Sequence, residues 1–176
     1  LSGDVTFSKA RDLVKKYYGN LKKKDEKKLT KLKDPNLKTL TNVMLKNENV
    51  KQQIWKRIYR SKSYIESISE SIALDLGLKI LSGGTSSLLY EELVNKQKTF
   101  SMVGGFYQGL TRGDGYIYFY AIPIKKMNHN QISILVDDQI EKLIDKVSNE
   151  RLEMEKKKYY FDSIYGMDGI LKPAEI

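Results

Sequence analysis

The chain has no cysteine, one histidine, one tryptophan and three prolines in 176 residues. Without cysteine it can build neither a disulfide framework nor a thiolate metal site. A single histidine, His129, excludes any centre made from two or more imidazoles, and with Asn128 and Asn130 beside it His129 reads as a solvated loop residue. No apolar run approaches the roughly 18 residues that span a bilayer, and the opening LSGDV lacks the basic and apolar parts of a signal peptide. Arginine is scarce as well. Of the 31 basic residues only Arg11, Arg57, Arg60, Arg112 and Arg151 are arginine, so the net charge of +9 is carried by lysine. Base readout and phosphate clamping favour the paired donors of arginine, whereas scattered lysine mainly keeps a surface solvated. Residues 1–50 hold 13 basic and 6 acidic side chains, and the run from Lys22 to Lys33 reads as a solvated helix or loop. A basic nucleic-acid-binding domain is therefore a distant alternative, and no nucleic acid is expected as a partner.

What is present suits one globular unit. With 40% hydrophobic and 30% charged residues, the chain can bury one sizeable core, and residues 1–176 read as a single domain. Leu1 to Asp4 read as the tail of a strand, so the sequence is expected to begin within a domain. Thr6 or Ser8 can cap a helix whose apolar positions Phe7, Ala10, Leu13, Val14 and Tyr17 follow helical spacing, with Gly19 as its stop. A polar connector occupies residues 20–40, partly helical around Glu26 to Leu32, with Asp34-Pro35 as a turn signal. Within Val43 to Tyr59, residues Ile54, Lys56 and Ile58 alternate with Trp55, Arg57 and Tyr59 as on a strand, whose partner is expected near Thr41 to Leu45. From Tyr64 to Leu81, the positions Ile65, Ile68, Ile72, Leu76 and Ile80 predict a central helix with a buried stripe. Gly83 and Gly84 can take positive φ and stop it, and Thr85 or Ser86 can cap a second helix over Ser86 to Gln97. Strands follow at Thr99 to Leu110 and Tyr116 to Ile124, joined by the turn Arg112 to Gly115. Gly104 and Gly105 predict a bulge or a close backbone approach. A helix through Ile132, Val136, Ile140 and Leu143 is next, then another from Ser148 to Tyr165, and Gly166 to Ile176 read as a loop.

Catalytic constellations are not evident. Glu91-Glu92 and Asp137-Asp138 are adjacent, so on a helix they diverge by about 100° and do not face one substrate. Neither glycine pair precedes the Lys-Ser/Thr of a phosphate loop. Ser86 and Ser87 have no histidine within reach and read as caps. The 12 tyrosines are the unusual feature. Tyr116, Tyr118 and Tyr120 share one strand face, either as a face covered by a helix or neighbouring domain or as a wall that binds peptide.

Five segments in order carry a family resemblance. LSGDVTFSKARDLVKKYYGNL, VKQQIWKRIYRSKSY, LGLKILSGGTSSLLYEELVNKQK, RGDGYIYFYAIPI and VSNERLEMEKKKYYFDSIYGMD together resemble the C-terminal half of zinc metallopeptidases of the insulinase and mitochondrial processing peptidase family, bacterial members above all. The resemblance implies an α+β fold, a mixed, largely antiparallel sheet covered by helices on one face, truncated here at both ends. It implies a non-catalytic, substrate-enclosing domain of a zinc-dependent metalloendopeptidase that acts on unfolded peptides or presequences, inactive when isolated. Zinc is then expected in an N-terminal domain, with no metal held by this chain. The alternative is a non-catalytic subunit or assembly module of a processing complex. Implied partners are the zinc domain, a peptide substrate and a homologous subunit in a homo- or hetero-dimer, in a bacterial periplasm or cell envelope. Many members place an Arg and a Tyr seven residues apart after the second helix to bond substrate. Here Val94 and Phe100 fall near those positions, one residue short, and neither can donate such a bond. A partner subunit is expected to bring the missing donors. The substrate-cavity candidates are thus Val94, Phe100, Tyr116, Tyr118 and Tyr120.

Overall fold

A computed structural model describes residues 3–22, 35–36 and 39–168, which fall into two units. One is Leu32–Lys156, and the other joins Leu1–Lys31 to Lys157–Ile176. The larger unit is built on three antiparallel strands, β1 (Trp55–Ser61), β2 (Phe100–Gln108) and β3 (Gly115–Pro123), in the order β1-β3-β2. The register sets Ile58 opposite Tyr118 and Tyr118 opposite Phe106, and the rows centred on Tyr116, Tyr118 and Tyr120 alternate with rows centred on Ile117, Phe119 and Ala121. β1 therefore pairs with β3, not with a strand near Thr41 to Leu45. Residues 41–47 form no strand, and Val43 and Leu45 are more than four-fifths exposed, with no apolar surface to pack on. The bulge in β2 lies between Phe100 and Met102, leaving Gly104 and Gly105 in register.

Helices α2 (Ile68–Ser82), α3 (Leu88–Tyr90) and α4 (His129–Ile144) belong to this unit. Ser67 caps α2 by accepting from the Glu70 amide, and Asn128 and Gln131 form a reciprocal capping box on α4. The expected buried stripe of α2 is only partly right. Ile80 is buried and Leu76 half-buried, but Ile65, Ile68 and Ile72 are exposed, and the inward positions are Ser71, Leu78, Leu81 and Ser82. Small side chains bring the helix close to the sheet: Ser71 meets the Tyr107 hydroxyl at 2.7 Å, and Ser82 lies over Gly105. A Cβ on Gly105 would sit 2.9 Å from Ser82 Oγ.

The corner after α2 uses its glycines differently. Gly84 takes φ +88°, whereas Gly83 stays at φ −85° and is held to glycine by the Lys79 backbone, 2.7 Å from where a Cβ would be. The N-cap of α3 is Ser87, not Thr85 or Ser86, and its hydroxyl donates to the Gly84 carbonyl at 2.7 Å. After one turn the helix widens into a π-helix over Glu91–Lys96, followed by Lys98 at φ 51°. The expected regular helix to Gln97 is thus a π-turn that absorbs one residue beyond the α repeat. Phe100, Leu89, Leu93, Ile132 and Val136 form the centre of the core, each essentially inaccessible to solvent. Truncating such a side chain costs about 2–5 kcal/mol.

The smaller unit contains α1 (Phe7–Tyr18), capped by Thr6 and closed at Gly19, and the end of α5 (Asn149–Tyr165). The expected apolar positions of α1 are on the helix, but Phe7 is 82% and Tyr17 68% exposed. On α5 the Phe161 ring stacks on Tyr165 with centroids 6.3 Å apart. The expected helix around Glu26 to Leu32, Asp34 of the turn signal and the end of the terminal loop lie outside the described residues.

Candidate functional site

Alternation along the strands divides the sheet into two unlike faces. Trp55, Val103, Phe119 and Ala121 turn to the helices and are buried. Trp55 donates its indole N–H to Ser133 Oγ of α4 at 3.0 Å. Arg57 bonds the Asp137 carboxylate at 2.5 and 2.6 Å, with its guanidinium 5.0 Å from the Trp55 ring and 5.9 Å from that of Tyr59. Burial opposes its charge, but the bonds to Asp137 and Tyr59 outweigh it and raise its pKa above the ordinary value. The cluster fastens α4 to β1. His129, expected in a loop, is instead the first residue of α4, its ring 6.3 Å from Trp55.

On the opposite face, none of the helices α2, α3 and α4 of this unit packs over the sheet. Ile58 is 63% exposed, Phe106 45% and Met102 45%, while Tyr116, Tyr118 and Tyr120 are half-buried. Phe106 and Tyr118 rings are 5.0 Å apart, and Tyr118 and Tyr120 6.1 Å, so the aromatics form a continuous row. Gly104 makes room for it: a Cβ there would lie 2.6 Å from the Tyr120 hydroxyl. At one end of the row is a cavity of about 550 Å³, floored by Ile58, Phe106, Tyr116 and Tyr118 and rimmed by Arg60, Asp114 and Pro35. Arg60 is held there by the Asp114 carboxylate and the Pro35 carbonyl. An apolar floor with a polar rim is the chemistry of a binding surface.

The structure brings Tyr116, Tyr118 and Tyr120 together on this face and sets Val94 and Phe100 apart from them. Phe100 is fully buried, and Val94 packs half-buried against the same core. Sequence reasoning missed Phe106, Ile58 and Arg60 as neighbours of the tyrosines. The alternation of β1 contained the signal, but it needed the strand order to be read. Among the described residues, no group of three or more His, Cys, Asp or Glu side chains could hold a metal ion. The described residues therefore do not fit a zinc site.

The sequence profile of the peptidase M16 inactive domain matches residues 1–159, and the chain belongs to that family. A protease from Helicobacter pylori shares 23% identity at a TM-score of 0.83, over 99% of this chain and 42% of that one. A candidate zinc protease from Bordetella pertussis Tohama I shares 25% at a TM-score of 0.56, over 68% and 64%. The inactive peptidase domain of a candidate zinc protease from Bordetella parapertussis shares 24% at a TM-score of 0.58, over 69% and 64%. The chain therefore spans less than two thirds of each of these relatives. The comparison with curated proteins gave no match. The α+β fold and the family resemblance read from the sequence are both borne out.

Proposed function

We propose that this chain is the substrate-facing, non-catalytic domain of a zinc-dependent metalloendopeptidase acting on unfolded peptides. The observation that carries this reading is the bare aromatic face, on a domain whose family is the peptidase M16 inactive domain. Zinc, held by a separate N-terminal domain, would activate the water that attacks the peptide bond. The residues of this chain contribute binding: the Tyr116, Tyr118 and Tyr120 row offers flat apolar surface with hydroxyls that bond a passing backbone, and it orders a segment near the chemistry. Val94 and Phe100 have no role in that contact, because neither can donate a hydrogen bond and both pack with the core. A homologous subunit is the proposed source of the donors.

The test uses the full-length protein beside this chain. Full-length protein should contain zinc and cleave unfolded peptides, this chain should do neither, and Tyr118→benzoylphenylalanine in the full-length protein should photo-crosslink to an uncleaved peptide. Peptide hydrolysis by the isolated chain, or no capture from position 118, would overturn the reading. Capture without hydrolysis or zinc would instead mark a non-catalytic subunit of a processing complex.

A further inference from the structure

If the bare face meets substrate, as just proposed, its charges and spacing also say which substrates it selects. Alternation puts Lys56, Ile58 and Arg60 of β1 on that face, opposite Tyr120, Tyr118 and Tyr116 respectively. Arg60 is neutralised by Asp114. Lys56 is exposed, two residues from Ile58, and has no ion-pair partner among the described residues. The positions that β2 and β3 send to this face carry no carboxylate. Among the described residues the face thus offers an apolar cavity and, beside it, a cation with no ion-pair partner.

Same-face positions two residues apart on a strand are separated by about 6.6–6.8 Å, and an extended peptide repeats its own same-side chains at that pitch. A peptide lying along β1 with one side chain in the cavity therefore brings its next same-side residue to Lys56. A carboxylate there gains an ion pair, whereas a lysine or arginine meets a like charge. The overall charge of +9 draws in the same anionic segments at longer range.

We propose that this face selects extended peptides that carry a large apolar or aromatic side chain, seated among Ile58, Phe106 and Tyr118, and an acidic side chain two residues away, held by Lys56. The apolar residue supplies affinity through burial, and the acidic one sets register and orientation.

The test measures anisotropy of labelled Gly/Ser peptides that carry Phe-Ser-Glu, Phe-Ser-Lys or Ala-Ser-Glu, bound to full-length protein with a chelator present so that none is cut. Phe-Ser-Glu should bind about threefold to fivefold tighter than Phe-Ser-Lys, the scale of one exposed ion pair. Lys56→Glu should reverse that preference, a gain for the lysine peptide that a misfolded variant could not produce. Phe106→Ala should weaken both phenylalanine peptides about tenfold and erase their advantage over Ala-Ser-Glu. Equal binding of the Glu and Lys peptides, or a preference untouched by Lys56→Glu, would overturn this inference while capture at position 118 left the substrate-facing role standing. No capture of any peptide there would remove both.

Discussion

Replacing Gly105 by alanine tests whether the sheet is clamped between its neighbours as the geometry requires. The added Cβ would lie 2.7 Å from Phe119 Cδ1, 2.7 Å from the Tyr118 carbonyl oxygen and 2.9 Å from Ser82 Oγ. Carbon contacts settle near 3.5–4.0 Å, so the methyl is short by about 1 Å on several sides at once. The Tyr118 carbonyl belongs to the central strand and cannot retreat without disturbing the pairing of β3 on both sides. Overpacking of this kind costs about 1–3 kcal/mol, and backbone on one side with a helix on the other places Gly105→Ala near the top, about 3 kcal/mol. For a chain of this size that lowers Tm by about 6–12 °C. Gly104→Ala is the matched control. Its Cβ would meet the far end of the Tyr120 ring at 2.6–2.9 Å, and that half-buried side chain can swing outward, so a cost of about 1 kcal/mol or less is expected. Urea unfolding followed by Trp55 fluorescence measures both, with equal m-values showing that only stability has changed. A neutral Gly105→Ala, or a Gly104→Ala that costs as much, would refute the reasoning.

The Arg57–Asp137 pair should couple by about 1 kcal/mol in a double-mutant cycle of Arg57→Ala and Asp137→Ala, since the side chains remain 23% and 44% exposed but meet in short, charge-assisted bonds. A coupling near zero would mean that the stacking on Trp55 and Tyr59, not the ion pair, fastens α4. Glu92 has its pKa lowered by the Gln97 amide first and then by Lys96, so its contribution is present above the ordinary carboxylate value of 4.5 and is lost as pH falls through the lower folded value. Glu92→Gln should lower stability slightly at neutral pH and flatten the acid limb below 4.5, so that variant and wild type converge at low pH, and an acid limb identical to wild type would refute the assignment.

The periodic parts of the fold were legible in the sequence, and the parts set by mutual fit were not. α1, α4, α5 and the β2–β3 hairpin follow directly from apolar spacing, caps and the Gly-Asp turn. The buried face of α2 does not follow from side-chain size, because the approach to Tyr107 and Gly105 selects Ser71 and Ser82. The π-turn at Glu91–Lys96 left no local signal, since its composition is that of an ordinary helix and the extra residue shows only against the strand that follows. At the site, the tyrosine row could be read from period-two alternation within one strand. Phe106 and Ile58 could not be joined to it until strand order placed β3 between β1 and β2.

The distribution of aromatic types across the sheet bears on how the bare face is used. Phe119 and Trp55 occupy the covered side with valine and alanine, and the two strand tyrosines there have bonded hydroxyls: Tyr59 accepts from Arg57 at 3.0 Å, and Tyr107 donates to the Lys62 carbonyl at 2.5 Å and shares a bond with Ser71. Across the sheet, three of the four aromatics are half-buried tyrosines, and the fourth, Phe106, floors the cavity together with Tyr116 and Tyr118. A face destined for permanent cover gains nothing from unbonded hydroxyls, each of which must then find a partner or carry a desolvation cost of about 1–3 kcal/mol. A face that is wet at one moment and covered the next gains from them, because the hydroxyl bonds water in one state and a peptide backbone in the other, while the ring supplies the same apolar area. A row dominated by tyrosine is therefore the arrangement expected of a reversible peptide surface, and replacing all three tyrosines by phenylalanine should preserve the fold while promoting self-association.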